Sequence, residues 1–127
     1  MFPPKIQILV VDHNPLLRDG LALLINLQPD MEMVATATQS NEAVELFRAH
    51  RPNIVIMDLD LPLGGGVAAV GQIRKIDASA SIIGLLTYEA DSAGAEALRA
   101  GACGYLAKDR LHEELVPLIR TCRSKES

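Results

Sequence analysis

The chain has 127 residues, 49% of them apolar and 22% charged, and a formal net charge of −4. That length suits one domain with a buried core, and the acidic balance argues against a large basic surface for nucleic acid. No apolar run approaches the roughly 20 residues of a membrane span, and Met-Phe-Pro-Pro-Lys at the start does not resemble a signal peptide.

In chain order, short apolar runs alternate with helical periods. The runs at 8–11, 31–35, 54–57 and 82–86 read as strands, with Gly104–Ala107 a weaker fifth. Near-continuous apolar runs suit strands buried on both faces, as in parallel sheets. Between them lie the stripes Leu17, Leu21, Leu24 and Ile25; Ala43, Leu46, Phe47 and His50; and Ala69, Ile73 and Ile76. An Ala-rich helix is expected over 92–100, capped by Asp91, and a last one carries Leu111, Leu115, Leu118, Ile119 and Cys122, capped by Asp109. The run Leu-Gly-Gly-Gly after Pro62 reads as a mobile loop. Cys103 and Cys122 are far apart and suggest no disulfide framework, so both are expected as small packing residues in a reducing, cytoplasmic compartment.

Five β-α units in one short chain imply an α/β fold, a doubly wound five-stranded parallel sheet with helices on both faces. The domain is expected over 1–122, with 123–127 a tail or the start of a linker. Open parallel sheets bind ligands beyond the carboxyl ends of their strands. The polar residues there are Asp12, Asp58, Thr87 and Lys108. Together they suit phosphoryl transfer to a carboxylate. Asp58, on the central strand, is the candidate nucleophile, Asp12 the metal holder, Lys108 the cation that pairs with the phosphoryl group, and Thr87 its hydroxyl partner.

These pieces carry a family resemblance. "ILVVDHNPLLRDGL", "PNIVIMDLDLP" with Gly66 downstream, "IIGLLT" and "GACGYLAKDRLHEEL" resemble, in this order and spacing, a receiver domain of two-component response regulators of the NarL/FixJ type. The expected strand order is the flavodoxin-like 2-1-3-4-5. The resemblance implies that Asp58 accepts phosphate from a histidine kinase and that Asp12 and the Asp60 main-chain carbonyl help bind magnesium. It also implies that Thr87 and Tyr105 move together as a switch controlling an output domain or partner, most often a transcriptional one. The contact face for a homodimer or output domain would run over 91–120, with no direct nucleic-acid contact by this chain. The only chemistry implied is phosphorylation and dephosphorylation of the chain itself, not turnover of a separate substrate.

Three features depart from the family pattern. His13 stands where a second acidic residue is usual. A neutral imidazole is a poor magnesium ligand, so weak magnesium binding is expected, with manganese or zinc favoured in a sharper version. Tyr88 is bulky where a small residue usually leaves a path to the site. The Gly-Gly run lacks the polar residue common before the last glycine. Two rival functions follow from the sequence. One is a pseudo-receiver that keeps the fold as an interaction module without phosphorylation. The other is a haloacid-dehalogenase-type phosphatase, suggested by Asp58-x-Asp60 in "DLDLP" but opposed by the motif's place after the third strand.

Overall fold

The computed structural model describes residues 4–124. Five parallel strands, β1 (Ile6–Val11), β2 (Met31–Ala37), β3 (Ile54–Asp58), β4 (Ser81–Leu86) and β5 (Gly104–Ala107), lie in the order β2-β1-β3-β4-β5. Helices α1 (Pro15–Asn26), α2 (Ser40–His50), α3 (Gly65–Ile76), α4 (Ala93–Ala100) and α5 (Leu111–Ser124) connect and follow them, with 3-10 turns at Pro62–Gly64 and Lys108–Arg110. The expected fold class and strand order are those observed.

Strand alternation divides the core in two. Leu9, Val11, Val55, Met57, Ile82 and Leu86 pack against Ala43 and Phe47 of α2, Ala69 and Ile73 of α3 and Ala97 of α4. Ile8, Val10, Ile54, Ile56, Ile83 and Leu85 face Leu21 and Ile25 of α1 and Leu111, Leu115, Ile119 and Cys122 of α5. β1, β3 and β4 are thus covered on both sides, which explains their unbroken apolar runs. β2 is an edge strand and tolerates Glu32 and Thr36, so it extends to Ala37, past the apolar run that marks it in the sequence.

Four local expectations are corrected. Two of the three glycines after Pro62 are not in a loop: Gly64 ends the 3-10 turn, but Gly65 and Gly66 open α3. A Cβ at Gly66 would stand 2.2 Å from the Asp58 carbonyl oxygen and 2.9 Å from Leu59 Cα, so glycine there permits a close backbone approach. Asp91 is not itself the residue before α4, which is Ser92, although its Oδ1 still accepts from Ala93 N at 2.9 Å. Asp109 lies inside the 3-10 turn that runs into α5 and does not cap that helix. Cys103 and Cys122 are bonded to each other, with Cα atoms 6.1 Å apart. A helix that follows a parallel strand runs back along it, so the last turn of α5 returns to the residue that precedes β5. α5 itself includes Arg123 and Ser124, and residues 125–127 lie outside the described ones.

Candidate functional site

Asp12 directly follows β1 and Asp58 ends β3, neighbouring strands at the centre of the sheet, and both residues are fully buried. Each bends the chain into a turn by the same device. Asp12 Oδ1 accepts from Asn14 N at 2.8 Å, and Asp58 Oδ1 accepts from Asp60 N at 2.9 Å. The 3-10 turn after β5 delivers Lys108, whose Nζ lies 3.2 Å from Asp12 Oδ2, 3.1 Å from Asp58 Oδ1 and 3.9 Å from Asp60 Oδ2. Burial disfavours the Lys108 ammonium, but the hydrogen bond and charge of Asp58 and the charge of Asp12 outweigh it and raise its pKa above the ordinary value.

The three predicted groups Asp12, Asp58 and Lys108 therefore converge. Asp12 Oδ2, although near the ammonium, has no aligned hydrogen-bond donor. Arg18 Nη1 donates to the Asp12 carbonyl at 2.7 Å and ties α1 to the turn.

His13 is where the structure adds most. Its Nδ1 lies 2.8 Å from Asp58 Oδ2 and 3.9 Å from Asp12 Oδ1, while the side chain is 57% exposed. An ionised carboxylate only accepts, so this contact assigns the hydrogen to Nδ1. Asp12, His13 and Asp58 each offer one ligand atom, all within 4.8 Å of one another.

Thr87, just past β4, is not directed to Asp58. Its N and Oγ1 both donate to Asp60 Oδ2, at 2.8 and 2.6 Å. The family resemblance assigns Asp60 only a main-chain carbonyl role; its carboxylate as the acceptor for Thr87 is not anticipated from the sequence, where the Asp-x-Asp spacing is the available signal. Tyr88 is 73% exposed and points into solvent. Tyr105 on β5 is half-buried and packs over Gly94, where a Cβ would meet its ring at 2.7 Å.

Residues 8–120 match the response regulator receiver domain family. The chain is 33% identical over 123 residues to the uncharacterized transcriptional regulatory protein YxjL of Bacillus subtilis, covering 97% of this chain and 56% of that protein. It is 34% identical over 122 residues to the oxygen regulatory protein NreC of Staphylococcus haemolyticus, covering 95% and 56%. Among solved structures, a LuxR-family two-component response regulator from Aurantimonas sp. SI85-9A1 superposes with a TM-score of 0.90 at 36% identity, covering 95% of this chain and 86% of that one. The chain belongs to the response regulator receiver domain family, and its relatives are transcriptional response regulators of the NarL/LuxR type. It spans about half the length of the curated relatives it matches.

Proposed function

We propose that this receiver accepts a phosphoryl group on Asp58 from a histidine kinase and passes the change on through Thr87 and Tyr105. The observation that carries the reading is a fully buried Asp58 at the end of the central strand with an ammonium 3.1 Å from one oxygen. Asp58 Oδ1 is held by Asp60 N and Lys108, whereas, among the described residues, Oδ2 is contacted by the exposed His13 ring. Oδ2 is therefore the attacking oxygen, and His13 swings aside as the donor approaches. Lys108 then balances charge on the phosphoryl oxygens, and the Thr87 hydroxyl leaves Asp60 to hydrogen-bond to them.

Asp12 Oδ2, ion-paired to Lys108 but with no aligned hydrogen-bond donor, lies in a cluster whose ligand atoms are within 4.8 Å of one another and fits a divalent cation, which Asp12, Asp58 and the Asp60 carbonyl would hold. When bound, such a cation would supply positive charge to offset the repulsion between the two anions. Magnesium is the expected ion, bound weakly because His13 replaces a carboxylate, and manganese is the alternative an imidazole favours. The chemistry is confined to the chain's own carboxylate. The output is transcriptional, reached through a homodimer or an output domain on the 91–120 face without direct nucleic-acid contact by this chain, in the cytoplasm.

A second reading is favoured by one observation: His13 occupies the oxygen that would attack. In that reading the chain is a phosphorylation-independent interaction module. Intact mass after treatment with acetyl phosphate and magnesium separates the two. One added phosphate in the wild type, absent from Asp58→Ala, supports the first reading; none in either protein supports the second.

A further inference from the structure

The Cys103–Cys122 bond lies at the opposite end of β5 from Lys108. The two sulfurs differ in access. Cys122 is fully buried among Ile119, Leu115 and the inner faces of β1, β3 and β4. Cys103 is half-buried and lines a cavity of about 270 Å³ with Arg74, Ser81 and Gly101. Of the two bonded residues, Cys103 is therefore the one a reagent in solvent can approach, and Cys122 is not. The cationic Arg74 on that cavity wall favours an approaching thiolate.

The helix that carries Cys122 has a weak point. Pro117 lies inside α5 and cannot donate to the carbonyl of Glu113. Beyond it, the half-helix from Leu118 onward is fastened by buried Ile119, by the Arg120–Asp30 ion pair and by the bond to Cys103. Arg120 uses Nε and Nη2 on the two oxygens of Asp30, at 3.1 and 2.9 Å, but that pair is on the surface and is worth little alone. Free cysteines would also pack here as small apolar residues, so the fold accommodates both oxidation states.

We propose that Cys103 and Cys122 form a reversible thiol–disulfide modification site, entered at Cys103, whose state sets how firmly the half-helix after Pro117 is held to the sheet. Its reaction partners are small-molecule thiols and disulfides of the glutathione class. In reduction, a thiolate attacks Cys103 Sγ, the bond between the protein sulfurs breaks, and the electron pair leaves on Cys122 Sγ, which takes a proton. A second thiol attacks the mixed disulfide and releases Cys103 as a thiol and the reductant as its own disulfide. Two thiols have then given two electrons and two protons to the protein; oxidation is the reverse, with the small disulfide as oxidant. Because the Cys122 sulfur leaves into an apolar core, exchange takes minutes to hours rather than seconds.

The test uses the full chain under native conditions at a series of reduced-to-oxidised glutathione ratios. Samples are quenched in acid, alkylated in denaturant and weighed intact. The expected result is a sigmoidal, reversible conversion between an unalkylated and a doubly alkylated chain. Hydrogen exchange in residues 118–124 should rise on the order of tenfold or more on reduction, with β1 and β3 unchanged. Cys122→Ala should show the raised exchange at every ratio. A bond that opens only in denaturant, thiols that never pair, or equal exchange in 118–124 in both states would each overturn the proposal. None of these readouts involves phosphate, so the outcome is independent of the role assigned to Asp58.

Discussion

His13 Nδ1 sits 2.8 Å from Asp58 Oδ2, so an exposed imidazole covers one oxygen of a carboxylate that is otherwise fully buried. The same contact places the ring 3.9 Å from Asp12 Oδ1, in the space between the two acids. His13→Asp should therefore raise magnesium affinity by about 10- to 100-fold, the scale set by loss or gain of a metal-site partner. Calorimetric titration of both proteins with magnesium checks this, and equal affinities would contradict it.

Lys108 is the cation that lets Asp12 and Asp58 be buried side by side. Lys108→Met should destabilise the protein by about 1–3 kcal/mol, because two buried carboxylates lose the ammonium that is ion-paired to both. The folded pKa of Lys108 lies above 10.5, through its contacts with Asp58 and Asp12 against the opposing effect of burial. Its contribution is therefore complete below about pH 10.5 and is lost as pH rises through the folded value. Urea unfolding across the alkaline range should show wild type converging on Lys108→Met.

Gly66→Ala tests the close approach under the site. The added Cβ would meet main-chain atoms of Asp58 and Leu59, which cannot rotate away. A loss of about 1–3 kcal/mol is expected from the overpacking, with reduced phosphate uptake from displacement of Asp58. Gly84→Ala should be milder, because its clash is with the flexible end of the Leu59 side chain. Chemical denaturation ranks the two.

The Asp30–Arg120 pair gives an acid-side prediction. The hydrogen bond from Arg120 is the main cause holding the Asp30 pKa below 3.8. Its stabilisation is present above about pH 4 and disappears as pH falls through the folded value. Both side chains are nearly half exposed, so Asp30→Asn should cost less than about 1 kcal/mol near neutral pH. Thermal unfolding should show that difference vanish in acid.

Tyr88 faces solvent. Tyr88→Ala should leave phosphate uptake from acetyl phosphate and the lifetime of the phosphorylated chain within about twofold of wild type, since exposed groups with no partner contribute little. Rates by phosphate-affinity gel decide it; a large acceleration of both would mean that the ring covers Asp58 in solution.

The sheet and the convergence of Asp12, Asp58 and Lys108 were legible because buried parallel strands leave long apolar runs and place their terminal polar residues on one edge. What was not legible depended on geometry that periodicity does not encode. Cys103 and Cys122 are 19 residues apart, and only the return of α5 along β5 brings them together. The His13 contact depends on which way an exposed ring turns after Asp12. The glycines at 65 and 66 carried a turn signal that tertiary packing overrode, since α3 must start against Asp58.

Thr87 gives both its donors to a single oxygen of Asp60. Any newcomer that recruits this hydroxyl must first win it from a carboxylate. In the proposed switch, the β4–α4 loop would then respond to the difference between two acceptors, a smaller quantity than either bond. Substitutions at Asp60 should bias the resting population, even though Asp60 neither ends a strand nor lies in the core.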